Sequence, residues 1–155
     1  PVLRRAKAMV ACLPRNIAER ELSMLAKKLL IPEDQLCIET VSNSPGPGNI
    51  VTVELGYENI TELFTGFGER GVTAEAVADH LVSRVRRYLA AQVPVGENLA
   101  DQLMIPLALA GGGAFKTLPL SRHALTNRDV IAAFLAVEIK VEEMAQGLTL
   151  VRIGK

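Results

Sequence analysis

The stretch SRHALTN, residues 121–127, holds His123, one of only two histidines in a chain of 155 residues. Thr126 and Asp129 precede VIAAFLA as a Thr-x-x-Asp variant of the capping box, which predicts a helix starting at Asn127. His123 would then lie three residues ahead of the cap. A helix N-terminus carries partial positive charge and free N–H groups that attract phosphate. The same field disfavours imidazolium. A neutral imidazole beside a phosphate site is what a histidine needs to attack phosphorus. On the residues alone, a loop histidine without a role and a nucleophile both stand, the first being the commoner case.

Asp101 and Gln102 lie in ENLADQLMIPLALA, which reads as a helix. At 100° per residue they fall away from a Leu99–Leu103 stripe and can project from the core. Pro106 cannot donate to the carbonyl of Gln102 and is expected to kink the helix there. On the residues alone, a solvated polar face over a structural kink is narrowly the better reading than a binding cleft. His80, beside Ala76 and Arg84 on a helix, reads as a bystander on a partly exposed face. GFGERG, residues 66–71, is a literal G-x-G-x-x-G between a strand and a helix, but no buried strand with an acidic residue follows, so a glycine-rich turn is the better reading. GGGAFK lacks the Lys-Ser/Thr pair of a phosphate loop and reads as a helix stop. SPGPGN carries no reactive group and reads as a structural loop.

The positioning elements alternate between α and β. Residues 2–12 read as a strand. PRNIAERELSMLAKKLL keeps helical spacing at Ile17, Leu22, Leu25 and Leu29, with Pro14 where a helix can start. CIETVS is a short strand. NIVTVELGYEN alternates Ile50, Thr52 and Glu54 against Val51, Val53 and Leu55 as a half-buried strand, and ITELFTGF is another. A helix spans residues 73–91, with Ala76, Val77, Leu81, Val85, Tyr88 and Leu89 as its buried stripe. The break PVG, residues 94–96, divides the chain into domains 1–94 and 95–155. In the second, AFKTLPL reads as a strand after the GGG stop, and VEIKVEE and LTLVRI close as a hairpin.

The composition, 49% hydrophobic, supports a core for one full domain or two small ones. Seventeen Lys and Arg balance seventeen Asp and Glu, which disfavours a surface that binds nucleic acid along its length and leaves room for a local site. Cys12 and Cys37 sit inside apolar patterns and read as neither a disulfide framework nor a zinc site, which fits a reducing cytoplasm. LMIPLALAGGG is the most apolar stretch, too short for a membrane span and interrupted by Pro106. The chain begins at Pro1 directly in a strand pattern, without a leader-like segment, as a processed or partial chain would.

Several stretches together bring a family into view. GPGN at 46–49, ENITELFTGFGERGVTAEAVA at 58–78, RRYLA at 86–90, LADQLMIPLALAGGGAF at 99–115 and HALTNRDVIAAFL at 123–135 closely resemble RNA 3′-terminal phosphate cyclases, in the family's order and over nearly the whole chain. The resemblance implies an α+β fold: an inserted small α/β domain (1–94), then the rest of the last β-α-β-α-β-β repeat of the main domain (95–155), with the N-terminal half of the enzyme as missing partner. It implies an ATP-dependent conversion of an RNA 3′-phosphate to a 2′,3′-cyclic phosphate, with ATP and Mg2+ as cofactors and His123 as the nucleophile that takes AMP. Asp101 and Gln102 are carried over as ATP-contacting residues. Family members bear a tyrosine that stacks on adenine directly before LADQ; Asn98 stands there in this chain and is the third candidate ATP contact. The resemblance also admits a non-catalytic, cyclase-like ribosome-assembly protein as the alternative.

Overall fold

The structure is a computed structural model that describes residues 1–154. The chain folds as two compact units, Pro1–Arg87 and from Tyr88 onward. This division lies inside a helix, whereas the composition break read from the sequence lies at Pro94, in the connection that follows that helix.

The first unit runs β1 (Leu3–Ala11), α1 (Asn16–Leu29), β2 (Leu36–Val41), β3 (Gly48–Gly56), β4 (Thr61–Phe67) and most of α2 (Ala74–Ala91), whose last residues, from Tyr88, fall in the second unit. Its sheet has the order β2-β1-β3-β4, with β1 and β2 parallel and the other pairs antiparallel. The alternation read in NIVTVELG is realised. Val51, Val53 and Leu55 are buried, while Ile50, Thr52 and Glu54 point to the more open face. Register carries the same face across the sheet, pairing Ala8 with Val51, Ala6 with Val53 and Val53 with Phe64. Cys37 pairs with Lys7 on the open face and is exposed, as is Cys12. Both are free of a disulfide, and period 2 sends Cys37 outward between half-buried Leu36 and Ile38.

Helix α1 buries Ala18, Leu22, Leu25 and Leu29. Helix α2 buries Ala74, Val77, Ala78, Leu81, Val82, Val85 and Tyr88, but leaves Ala76 exposed, one position off the stripe expected from the sequence. Exposed ion pairs, Arg20–Glu75 and Lys28–Asp79, join α1 to α2. GFGERG turns from β4 into α2, and β4 is an edge strand antiparallel to β3. The parallel return that a dinucleotide fold requires is absent from this sheet.

The second unit continues with α3 (Glu97–Leu109), β5 (Gly113–Thr117), α4 (Arg122–Phe134), β6 (Glu138–Glu143) and β7 (Thr149–Gly154). Its sheet is β5-β7-β6, antiparallel throughout, and the expected closing hairpin is β6–β7. Phe115, Thr117, Val151 and Ile153 bury one face of it, and α3 and α4 supply Ala100, Met104, Ala108, Ala124 and Ile131 to the core. The glycine run ends α3 as read. Gly112 has φ +128°, and a Cβ there would lie 2.6 Å from the carbonyl oxygen of Ile153, so only glycine lets the chain turn this close to β7. The architecture is mixed α+β with four α-helices and two sheets among the described residues, and none of those helices is long and apolar enough to cross a membrane.

Candidate functional site

The helix that carries His123 begins earlier than its capping signature indicates. Ser121, in extended conformation, is the N-cap, and its hydroxyl accepts from the backbone N–H of Ala124 at 3.1 Å. Thr126 and Asp129 lie inside α4, where Asp129 is bound by the neighbouring Arg128. The predicted start at Asn127 is corrected by five residues. Both Ser121 and Thr126 are good cap residues, and the serine wins because LTNR extends the helical face that buries Ala124 and Ile131. His123 is thus the second residue of the helix and not a loop residue ahead of it. First-turn N–H groups and the positive end of the helix dipole lie at this end of α4. Its side chain is exposed.

Helix α3 presents the other candidates. Its buried stripe is Ala100, Met104 and Ala108, not Leu99 and Leu103, which are half-buried. Measured from Ala100, Asn98 and Gln102 fall on the outer side of the helix and Asp101 on its flank. Asn98 and Gln102 are exposed, and Asp101 is half-buried. Pro106 lies within α3, which runs on to Leu109; the carbonyl of Gln102 therefore lacks its helical N–H donor.

The two helices are tied at this point. The amide of Asn127 donates to the Asp101 carboxylate at 2.9 Å and to the Asp101 backbone carbonyl at 3.2 Å. Asn127 is one helical turn beyond His123 on the same face of α4. Asp101 is therefore held against the face of α4 that bears His123, and Gln102 is its chain neighbour. Sequence reasoning missed both Asn127 and Ser121. Asn127 could have been found as the i+4 partner of His123, an amide inside a helical pattern where it gains little unless its side chain is bound. His80, by contrast, is exposed on α2 in the first unit, beside Arg84, whose guanidinium donates to the Thr65 carbonyl at 2.8 Å.

The fold is mixed α+β, with an exposed imidazole in the first turn of α4 and a carboxylate on α3 that is bound by the Asn127 amide. Comparison with known proteins makes the class definite. The RNA 3′-terminal phosphate cyclase (RTC) insert domain matches residues 3–90. A protein of Pseudomonas fluorescens named RNA 3′-terminal phosphate cyclase is 42% identical over 142 residues, covering 92% of this chain and 42% of the relative. One of Ectopseudomonas mendocina with the same name is 45% identical over 135 residues, 87% of this chain and 40% of the relative. One of Salmonella paratyphi C is 42% identical over 150 residues, 97% and 43% respectively. The chain belongs to the RNA 3′-terminal phosphate cyclase family and spans about two fifths of the length of these relatives.

Proposed function

We propose that the chain is the nucleophile-bearing C-terminal part of an ATP-dependent RNA 3′-terminal phosphate cyclase, with His123 as the nucleophile. The observation that carries this reading is the position of His123: exposed in the first turn of α4, one turn from an asparagine that holds Asp101. A ring nitrogen of His123 attacks the α-phosphorus of ATP and pyrophosphate leaves, giving a histidine–AMP phosphoramide. The RNA 3′-phosphate takes the AMP and frees the histidine. The neighbouring 2′-hydroxyl then attacks the activated phosphate and expels AMP, leaving the 2′,3′-cyclic phosphate. Covalent catalysis here converts a poor electrophile into one with a good leaving group.

Asp101 keeps acceptor capacity for nucleotide N–H or O–H donors beyond the bond it takes from Asn127, since a carboxylate has about four lone-pair sites. Gln102 and Asn98 present amides that both donate and accept. Asn98 in place of a stacking tyrosine is expected to weaken the hold on adenine. Among the described residues no three His, Cys, Asp or Glu side chains come together as a metal cage. The Mg2+ that the resemblance implies is expected to arrive with the ATP phosphates, the usual ligands of this ion in nucleotide sites.

The N-terminal half of the enzyme is the intramolecular partner in this reading. Ile105, Leu109, Val130 and Phe134 on α3 and α4 are exposed, apolar side chains that a further layer would cover. Cytoplasmic residence is part of the same proposal and accords with two free, exposed cysteines. The test is cyclisation by the full-length enzyme that carries this chain. With ATP it should render a labelled RNA 3′-phosphate resistant to phosphatase, and His123→Ala should abolish this. Turnover that persists in that variant would sink the assignment.

A further inference from the structure

The first unit contains a cleft of about 480 Å3 between α1, the Pro47–Asn49 segment and the turn from β4 to α2. That volume is within the range of small-molecule sites. Glu21 and Asn49 are both buried and both line it, Glu21 being fully inaccessible. The Asn49 amide donates to one carboxyl oxygen of Glu21, Oε2, at 3.0 Å. The other oxygen, Oε1, is buried without a hydrogen-bond partner. A buried polar atom left unpaired is destabilising, and a ligand that bonds it would relieve this.

The rest of the cleft restricts what that ligand can be. Leu13, Ile17 and Val77 make apolar walls, and Pro47 lines it from the β3 side. Gly68 brings the turn against Asn49 so closely that a Cβ would meet the asparagine Oδ1 at 2.4 Å. The Gly68 N–H also donates to the Asn49 carbonyl at 3.0 Å. Asn49 is thereby locked, and with it the direction of the Glu21 carboxyl. At the rim stand Arg70 and Glu69, both exposed. Apolar walls, one hydrogen-bonding group in the depth and a guanidinium at the mouth suit a flat ring with a polar edge and an anionic tail.

We propose that this cleft binds a nucleotide, with the base edge hydrogen-bonded to Glu21 and the phosphate on Arg70. A base presents N–H and C=O groups in its plane and apolar faces above and below. Arginine is suited to phosphate through its planar fork of donors. Glu69 beside it repels the anion and so sets the side on which the phosphate lies. Burial pushes the Glu21 carboxyl above its ordinary range, so it can serve as a donor to a base nitrogen or carbonyl. The nucleotide is either a free mononucleotide or one unit of an RNA strand. This inference rests on the cyclase reading only for the choice of RNA as a probe.

The experiment is an NMR titration of the isotopically labelled 155-residue chain with uridine, adenosine 5′-monophosphate, and a trinucleotide RNA ending in a 3′-phosphate. Amides of Gly48, Asn49, Gly68 and Val72 should shift and give saturable curves. Glu21→Leu should weaken binding at least tenfold and Glu21→Gln, which retains a donor and an acceptor, less than threefold. Should the leucine variant fail to fold, Arg70→Ala serves: it should remove the preference for phosphorylated ligand over uridine. Equal affinity for mononucleotide and trinucleotide identifies a free nucleotide as the ligand, and binding of the trinucleotide alone identifies RNA. Absence of shifts at these amides up to millimolar ligand, or indifference to both Glu21→Leu and Arg70→Ala, overturns the proposal. His123→Ala should leave the cleft titration unchanged. Saturable cleft shifts without His123 chemistry therefore refute the cyclase mechanism alone, and His123 chemistry without cleft shifts refutes this inference alone.

Discussion

The two units meet the same problem, covering one face of a small sheet with two helices, with different materials. In the first, α1 and α2 bring Leu22, Leu25, Leu81 and Val85 onto a four-stranded sheet that contributes Val51, Val53 and Leu55, all almost inaccessible. In the second, α3 and α4 bring mostly small residues, Ala100, Ala108 and Ala124, with Met104 and Ile131, onto three strands. They leave Leu109 70% and Phe134 84% exposed. At roughly 1.5–3 kcal/mol for each large apolar side chain fully buried, the first unit has the deeper reserve. The residues proposed to do chemistry lie in the thinner unit, and the acid that is costly to bury, Glu21, lies in the thicker one. A deep core can tolerate an unpaired carboxyl oxygen; a thin one holds its candidate site by caps and side-chain hydrogen bonds.

The most severe test of that contrast is Gly112→Ala. The positive φ and the approach to the Ile153 carbonyl make it cost about 2–4 kcal/mol. Hydrogen exchange should accelerate throughout β5 and β7 while β1 and β3 keep their protection. Uniform loss in both sheets would erase the distinction between the units. Next is Asn127→Ala, which removes the amide that binds Asp101. About 1–1.5 kcal/mol should be lost in denaturant unfolding, with faster exchange in the first turns of α4. Ser121→Ala is expected to cost about 1 kcal/mol, and Thr126→Ala under about 0.5 kcal/mol. The reverse order would restore the helix start at Asn127.

Glu21→Gln sharpens the contrast through pH. Desolvation raises the folded-state pKa of Glu21, opposed by the Asn49 hydrogen bond. A carboxyl with a raised folded pKa is neutral in the native state where the unfolded chain has already ionised, so its stability contribution is complete below the ordinary value of about 4.3 and is lost as pH rises through the folded pKa. The glutamine variant should gain on the wild type as pH rises above the ordinary carboxyl value of about 4.3 and show no such gain below it. A difference constant across that range would mean that Glu21 does not titrate as its burial implies.

Much of the fold was legible because strand alternation in NIVTVELG and glycine stops such as GGG are local signals. The α3 stripe was not, because ENLADQLMIPLALA is apolar on most sides and its period cannot select between Leu99–Leu103 and Ala100–Met104. The start of α4 was misread because Ser121 and Thr126 are equivalent as local caps, and only the packing of Ala124 decides. Asp101 was legible as a residue that leaves the stripe, but its partner Asn127 is set by the meeting of two helices. Glu21 did leave a trace: it lies four residues from Ile17 and from Leu25, inside the apolar stripe of α1, where a charged residue requires a reason.

The central claim is that His123 forms the covalent bond to AMP. Full-length enzyme is incubated with α-labelled ATP and magnesium, and the wild type is compared with His123→Ala and His80→Ala. The adduct should be labile to acid and stable to base, as a phosphoramide is. It should vanish in His123→Ala and persist in His80→Ala. Labelling that survives in His123→Ala would contradict the account and favour a cyclase-like protein without catalysis at this histidine.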